Sequence, residues 1–299
     1  MTRPRFDTPF FRALMVGGVR ALPPSVRRAT MPLWGGLFHA LAPAARRAVE
    51  GNLARVLDER DPTRLRRAAR RLFVNYAWAV THRYSLGPGR LPFSAILHGR
   101  EHYDAAMAAG RGAILATGHL GFWTLAPFVM AHLGFPVPTM AMAEEPDPRL
   151  HAWEQRWRRG WSVVYTTGSP FASLGLVAAL GRGEAVAIQM DRAVGERHVE
   201  VPFFGRPARF PVGPAVLSRL SGAPILPVFM LRDGAHLFRA HVEPPVVVPR
   251  GGKRDEAVHA ATVELVRVYE RFVREHPEQW FNFFDFWADA PGAATGGAR

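Results

Sequence analysis

Short apolar runs alternate with longer amphipathic segments along the chain after residue 93. The short runs have the size of buried strands, and the segments between them are long enough for helices. The predicted strands are Ala113–Thr117, Val137–Met142, Ser162–Tyr165, Ala185–Gln189, Ile225–Met230 and Leu237–His241. The predicted helices are Phe122–Leu133, Pro148–Arg159, Pro170–Leu180, Val212–Ser221 and Asp255–Glu275. Because strands that alternate with helices build βαβ units, the sequence predicts an α/β fold with a mostly parallel central sheet flanked by helices.

The part of the chain before residue 93 has a helical pattern with a basic side. From Arg46 to Tyr84, apolar residues recur at helical spacing and arginines fall largely on the opposite side. The preceding residues hold an apolar segment, Phe10–Val16, and an uncharged one, Ala29–Ala45, whose prolines and glycines make it a poor membrane span. They are either interfacial helices that dip into one leaflet of a bilayer or amphipathic helices that pack on the domain.

Three regions follow from these patterns. We predict an N-terminal helical, membrane-associating region over residues 1–92, an α/β core over residues 93–289 and a disordered tail over residues 290–299, where small residues predominate. We expect the α/β core to carry the chemistry and the N-terminal helices to form the side of the protein that docks on a membrane.

One histidine stands at a position where α/β proteins bind ligands. The strand Ala113–Thr117 is followed by Gly118-His119-Leu120-Gly121, and the next helix begins directly after this turn. Ligands of open α/β sheets usually lie at the carboxyl ends of the strands. The flanking glycines let a substrate approach the backbone, so His119 is a candidate general base. The competing interpretation is a hydrogen-bonded structural histidine, which is the more common case in apolar surroundings.

A second block supplies possible partners for this histidine. Asp191 lies just past a predicted strand, the same kind of edge position as His119, and Glu200 follows after a loop. Either carboxylate can orient an imidazole and stabilise its protonated form, or can be an ordinary ion-paired or surface residue. Arg206 and Arg209 either clamp a phosphate through their planar guanidinium groups or are solvated loop charges.

The composition limits the classes of partner. The formal net charge is +13, and Lys253 is the only lysine among 38 basic residues. This excess predicts an anionic partner, and near an anionic bilayer each basic residue contributes about 1 kcal/mol. We expect no nucleic-acid partner, because the sequence lacks zinc-finger spacing, a basic heptad helix and an RNA-binding aromatic signature. The absence of cysteine excludes disulfides, thiolate metal sites and a cysteine nucleophile.

Four blocks along the chain carry a resemblance to a known family. They are His119–Trp123, Gln189–Gly205, Gly213–Pro227 and His276–Trp287. In this order they resemble the lipid A biosynthesis acyltransferase family, which includes late lipid A acyltransferases and phosphatidylinositol mannoside acyltransferases and belongs to the glycerolipid acyltransferase group. The resemblance implies transfer of a fatty acyl group from acyl carrier protein or coenzyme A to a hydroxyl of a lipid or glycolipid, at the cytoplasmic face of the bacterial inner membrane.

The resemblance also implies a role for the site residues. The family motif is a histidine followed, after four residues, by an acidic residue, so His119 is the implied general base. Thr124 stands where the acid is expected, and its hydroxyl has no charge to stabilise an imidazolium. We hypothesise a His119–Glu200 pair, with Asp191 as the second choice, because some mannoside-acylating relatives use a glutamate of this block. The expected substrate-contacting residues are Gly118, Gly121, Trp123, Thr124, Arg206 and Arg209.

Two functions stay open on this basis. The first is a membrane-associated O-acyltransferase that needs no metal or cofactor, because the acyl-thioester donor is already activated, and that receives the oxyanion on backbone amides near Gly118 and Gly121. The second is a lipid- or acyl-carrier-binding protein that kept the fold and lost catalysis through Thr124. A serine hydrolase, a P-loop enzyme and a dinucleotide-binding protein are disfavoured, because the sequence lacks their nucleophile elbow, phosphate-binding loop and glycine fingerprint.

Overall fold

A computed structural model describes most of the chain, namely residues 17–19, 21–85, 93–142, 162–166, 173–193 and 197–288. Three predicted features lie outside these residues: the apolar segment Phe10–Val16, the helix Pro148–Arg159 and the tail 290–299. Within the described residues, strands and helices alternate in the order that the hydrophobic pattern predicts.

In residues 22–85 three helices precede the first strand, namely α1 (Pro24–Leu41), α2 (Pro43–Leu57) and α3 (Pro62–Ser85). Each begins at a proline, whose fixed φ and missing N–H suit the first turn of a helix. Asp58 adopts a left-handed conformation with φ 47° and ends α2. The Asp61 carboxylate then accepts a hydrogen bond of 2.8 Å from the Thr63 amide and caps α3. None of the described helices combines the length and the apolarity that crossing a bilayer requires.

Seven of the nine described strands form the central sheet. They are β1 (Ser94–His98), β2 (Ala113–Thr117), β3 (Thr139–Met142), β4 (Val163–Tyr165), β5 (Ala185–Gln189), β8 (Ile225–Arg232) and β9 (Leu237–Val242). Their order across the sheet is β1-β9-β8-β2-β5-β3-β4, and all neighbours pair in parallel except β8 and β9. The other two strands, β6 (His198–Phe203) and β7 (Arg206–Pro211), form a separate antiparallel hairpin. The predicted fold class, a mostly parallel sheet flanked by helices, is confirmed.

Helices cover both faces of this sheet at its centre. They are α4 (Arg100–Ala108), α5 (Ala126–His132), α6 (Leu174–Gly181), α7 (Gly213–Ser221) and α8 (Arg254–Glu275). Successive side chains of a strand point to opposite faces. Ile114 and Ala116 of β2 join one hydrophobic cluster, whereas Ala113 and Leu115 join another, so this strand is buried on both sides. That burial explains why its sequence is an unbroken apolar run.

The bounds of several elements differ from the prediction. β2 and β5 have the predicted bounds, whereas β1, α4 and the β6–β7 hairpin were not predicted. The helix predicted over Phe122–Leu133 starts as a 3-10 turn, Trp123–Leu125, and α5 follows with Pro127 in its first turn. Proline is tolerated there because its missing N–H has no partner in the first turn. β9 runs antiparallel to β8 because a short turn joins the two strands directly.

A buried histidine connects the N-terminal helices to the sheet. His82 of α3 is only 7% exposed. Its ring packs on the rings of Trp78, Phe93, Phe122 and Phe238. Burial lowers the pKa of His82 to about 4, and the nearby positive charge of Arg232 and Arg27 lowers it in the same direction. The imidazole is therefore neutral in the folded protein at neutral pH.

We expect acid to destabilise the protein through this histidine. The folded-state pKa lies below the unfolded value of 6.5, so the unfolded chain binds more protons between these values. Stability is fully present above about pH 6.5, and up to about 3 kcal/mol is lost as the pH falls to 4. Urea unfolding across this range measures the loss. His82→Phe is expected to reduce the dependence of the unfolding free energy on pH, whereas His259→Gln, which changes an exposed histidine, should leave that dependence unchanged. A His82→Phe protein whose unfolding free energy varies with pH as in the wild type would contradict the role of His82.

Candidate active site

The turn that follows β2 presents His119 at the carboxyl edge of the sheet. Its backbone is held by residues 277–287, which follow α8 and which we call the C-terminal segment: the Phe281 amide donates to the His119 carbonyl and the Gly121 amide donates to the Gln279 carbonyl, both at 2.7 Å. The His119 side chain is 13% exposed. The backbone that carries the imidazole is therefore fixed, and the ring itself is partly exposed to solvent.

Asp191 is the carboxylate that the structure brings to this imidazole. It follows β5, which pairs in parallel with β2, and Thr117 is opposite Gln189 in that register. His119 and Asp191 therefore each stand two positions beyond a strand end, and the two strand ends are paired. The His119 Nδ1 and Asp191 Oδ1 atoms are 2.9 Å apart, and the His119 amide donates to Asp191 Oδ2 at 2.7 Å. Because a carboxylate only accepts, Nδ1 carries the proton and the lone pair lies on Nε2.

A buried tyrosine and tryptophan complete the surroundings of Asp191. The Tyr269 hydroxyl of α8 donates to Asp191 Oδ2 at 2.8 Å, and Trp280 Nε1 donates to the same hydroxyl at 3.0 Å. Asp191, Tyr269 and Trp280 are at most 1% exposed. The carboxylate therefore accepts three hydrogen bonds: one from the His119 ring, one from the His119 amide and one from the Tyr269 hydroxyl.

The charge states follow from these contacts. Burial by itself raises the pKa of Asp191, but the charge interaction with His119, the hydrogen bonds from His119 and the nearby Arg192 lower it by more, so its pKa lies well below the ordinary value. Burial and the charge of Asp191 raise the pKa of Tyr269 well above its ordinary value. Asp191 is thus ionised and Tyr269 protonated, which is the combination that the hydrogen bonds require.

The two glycines of the turn are explained by packing. A Cβ atom at Gly118 would lie 2.5 Å from Cε2 of Tyr269. Gly121 has φ +68°, and a Cβ atom there would lie 2.1 Å from the Met230 carbonyl oxygen. The Gly121 amide itself is not available to an oxyanion, because it donates its hydrogen bond to the Gln279 carbonyl, and an oxyanion on other backbone amides near Gly118 and Gly121 stays a prediction. Contact of either glycine with substrate stays a prediction.

Trp123 and Thr124 lie beside the imidazole, on the 3-10 turn that leads into α5. The rings of His119 and Trp123 meet edge to face, with centroids 5.3 Å apart. Thr124 is partly exposed. Among the described residues, the hydrogen bonds of the His119 side chain go to Asp191 alone, so Thr124 does not replace the missing acid of the family motif.

The hypothesised His119–Glu200 pair is not formed, and this expectation is corrected. Glu200 lies on β6 opposite Arg209 of β7, and the two side chains form a half-exposed ion pair with 3.5 Å between Oε1 and Nε. The hairpin register therefore holds Glu200 to its strand partner. Arg209 is engaged in the same pair, and Arg206 is exposed at the start of β7, beside the hairpin turn. Neither arginine contacts the His119–Asp191 pair, and a role in binding substrate stays a prediction.

Arg192 ties the site to the C-terminal segment. Its Nε donates to Asn282 Oδ1 and one Nη donates to the Phe281 carbonyl, both at 3.1 Å. Asn52 of α2 donates in turn to the Phe284 carbonyl at 2.8 Å. Sequence reasoning missed these contacts and the role of Tyr269. The only available signal was the family block at His276–Trp287, which marks the segment without naming its contacts. The described residues contain no group of three or more side chains arranged to hold a metal ion.

Comparisons with known proteins give one family model, several relatives and a solved structure to which this chain is similar. The family model described as bacterial lipid A biosynthesis acyltransferase matches residues 3–288. A phosphatidylinositol mannoside acyltransferase of Mycobacterium tuberculosis is 30% identical over 196 residues, which cover 64% of this chain and 60% of the relative, less than two thirds of its length. That of Mycolicibacterium smegmatis is 28% identical over 277 residues, covering 90% of this chain and 88% of the relative. The crystal structure of a 1-acyl-sn-glycerophosphate acyltransferase from Thermotoga maritima matches with TM-score 0.41 and 17% identity, covering 84% of this chain and 98% of that one.

We expect Tyr269→Phe to destabilise the fold by about 1–3 kcal/mol, because it removes the donor to Asp191 and the acceptor for the Trp280 indole. Tyr103→Phe is a matched control, since that hydroxyl is buried without a hydrogen-bond partner among the described residues. Its removal should leave the stability unchanged or raise it. Urea unfolding of both variants measures the difference, and equal effects would show that the Tyr269 hydroxyl contributes nothing specific.

Proposed function

Since the chain belongs to the bacterial lipid A biosynthesis acyltransferase family, we propose that it is an O-acyltransferase that moves a fatty acyl group from a thioester to a hydroxyl of a lipid or glycolipid. The observation that carries the proposal is the His119–Asp191 pair at the carboxyl edge of the sheet, with Nδ1 bonded and Nε2 left as the acceptor. The mycobacterial relatives are named for a mannoside of phosphatidylinositol, and this supports a glycolipid acceptor.

The proposed chemistry uses Nε2 of His119 as the general base. As the acceptor oxygen attacks the thioester carbonyl, Nε2 takes the hydroxyl proton, and the negative charge of Asp191 stabilises the imidazolium that forms. The tetrahedral intermediate then collapses, the C–S bond breaks, and the imidazolium returns the proton to the thiolate. The products are an ester and a free thiol. Acyl carrier protein or coenzyme A supplies the thioester as a co-substrate, and no metal or further cofactor is needed to activate it.

Asp191 argues against the alternative of a protein that binds lipid or acyl carrier without catalysing transfer. That alternative depended on Thr124, because an uncharged residue in the acidic position leaves the imidazolium unstabilised. A buried and ionised carboxylate 2.9 Å from Nδ1 supplies the missing charge from the neighbouring strand. We therefore favour an active transferase over an inactive relative.

A membrane surface is the proposed location of the reaction. One face of α1 exposes five large apolar residues: Leu33, Trp34, Leu37, Phe38 and Leu41. The exposed arginines of α3 lie close by, since a Cβ atom at Gly36 would be 3.6 Å from the Arg70 guanidinium. Apolar residues rimmed by arginine match the interface of an anionic bilayer. We propose peripheral or monotopic binding at the cytoplasmic face of the bacterial inner membrane.

We expect three substitutions to separate the roles of the candidate residues in acyl transfer. His119→Ala removes the base and should lower the rate by about 10²–10⁴-fold. Asp191→Asn removes the stabilising charge and should lower the rate by a similar factor. Glu200→Gln, the matched carboxylate-to-amide control, should retain wild-type activity because its partner is Arg209.

The measurement is transfer of a labelled acyl group from acyl-coenzyme A or acyl carrier protein to membrane lipids, with binding of the labelled donor followed in parallel. Donor binding without transfer by the wild-type protein would favour the binding-protein alternative. Loss of activity in Glu200→Gln together with full activity in Asp191→Asn would overturn the assignment of the pair.

We expect the apolar face of α1 to control membrane binding. The double variant Leu33→Asn with Leu37→Asn removes two exposed leucines that would be buried in the bilayer, so its partition into vesicles should fall about tenfold or more. Leu220→Asn changes an equally apolar residue, 60% exposed on α7, and serves as the control. Co-sedimentation with vesicles of phosphatidylglycerol measures the partition. An equal loss in both proteins would argue against docking through α1.

A further inference from the structure

A cationic cluster lies away from the His119–Asp191 pair, where the start of α1 meets the β8–β9 turn. Its members are Arg27, Arg28, Arg232 and His236, and we call it the α1–β8 cluster. The Met230 carbonyl, two residues before Arg232, accepts a hydrogen bond of 2.6 Å from the Phe122 amide. The cluster is therefore connected through β8 to the turn that carries His119, at the same edge of the sheet.

Arg232 is the fixed centre of the cluster. The Gln279 side chain bonds both its backbone amide at 2.9 Å and its carbonyl at 3.0 Å. Its guanidinium donates to Asn75 Oδ1 at 2.5 Å and to the Gly234 carbonyl at 2.8 Å. It also lies over the Trp78 ring, 5.2 Å from the centroid. The side chain is thus held in one orientation by neutral groups.

Arg232 lacks a counter-charge in the described part of the chain. Its neighbour Asp233 forms an ion pair of 2.7 Å with Arg239 instead. Burial lowers the pKa of Arg232, with no opposing contribution from a carboxylate. The Arg232 Nε atom is buried and has no hydrogen-bond partner among the described residues. A half-buried, unpaired positive charge is costly to keep, and a bound anion would offset that cost.

Arg27 and Arg28 add positive charge near Arg232. Arg28 Nη1 donates to His236 Nε2 at 2.6 Å, so the imidazole is the acceptor in this contact and holds the Arg28 side chain beside the β8–β9 turn. The positive charge of Arg232 and Arg27 lowers the pKa of the buried His82, so both guanidinium groups act on the same side chain. In the described residues, no carboxylate forms an ion pair with Arg27, Arg28 or Arg232.

We propose that the α1–β8 cluster binds a phosphate group of a lipid headgroup or of the acyl donor. Planar guanidinium groups with an imidazole fit the oxygens of a phosphate. The exposed apolar face of α1 begins shortly after Arg28, so a phosphate held here lies beside a surface suited to acyl chains. The site goes beyond the proposed transferase and rests on it only for linking the phosphate to a substrate.

Calorimetry of the full chain tests this site without requiring turnover. The probes are inorganic phosphate, coenzyme A, and short-chain phosphatidylinositol below its micelle concentration, with short-chain phosphatidylcholine as the zwitterionic comparison. We expect Arg232→Gln to weaken phosphate binding about tenfold or more, because a charge-assisted hydrogen bond is lost. Arg239→Gln removes the same charge from the same hairpin and should bind as the wild-type protein does, since Arg239 is already neutralised by Asp233.

Substitutions at two exposed residues distinguish a loss of phosphate binding from a loss of folding. Arg28→Gln and His236→Gln change surface side chains and should each weaken binding in a protein with wild-type thermal unfolding. Tighter binding of coenzyme A identifies the acyl donor as the source of the phosphate, and tighter binding of phosphatidylinositol identifies the lipid. Absence of phosphate binding in the wild-type protein, or an equal loss in Arg232→Gln and Arg239→Gln, would overturn the proposal. Either result leaves the acyl-transfer assay of His119 unaffected.

Discussion

A buried carboxylate that accepts hydrogen bonds from several elements organises this protein. Asp191 receives the His119 imidazole, the His119 amide and the Tyr269 hydroxyl at 2.7–2.9 Å, and none of its side chain is exposed. A buried charge is tolerated only when hydrogen bonds and opposite charge compensate for lost hydration. These contacts therefore fix the relative positions of β2, β5 and α8, and the orientation of the candidate base is a consequence of satisfying one anion.

The C-terminal segment acts as the second support of the site. Gln279 and Phe281 hold the backbone of the His119 turn, Trp280 holds the Tyr269 hydroxyl, and Asn282 holds Arg192. Each of these residues bonds a different part of the site, although they are consecutive in sequence. The segment in turn rests on α2 and α3 through Asn52 and Asn75. The N-terminal helices, which we propose to dock on a membrane, are thus joined by hydrogen bonds to the residues around the imidazole.

The hydrophobic pattern predicted the fold better than the site. β2 and β5 are unbroken apolar runs, so the sequence predicted their bounds. The β6–β7 hairpin was not predicted, because Pro202 and Pro207 interrupt the alternation of apolar and polar residues along its strands. The choice between Asp191 and Glu200 depends on which strands are neighbours in the sheet, and a single sequence does not contain that order. Tyr269 had no signal at all, because a buried tyrosine on an amphipathic helix looks like any other core position until its hydroxyl is placed.

The placement of the acid reconciles Thr124 in the family motif with the transferase activity that we propose. An acid at position 124 would lie on a partly exposed 3-10 turn, where water weakens its attraction to the imidazole. Asp191 lies instead in the interior, where the same separation gives a stronger interaction and where the charge interaction and hydrogen bonds with His119, together with Arg192, keep it ionised. The stabilisation of the imidazolium depends on the charge and its surroundings, and the position of that charge along the chain is immaterial. What has to be preserved is the parallel pairing of β2 with β5, because that register places both residues two positions beyond the strand ends.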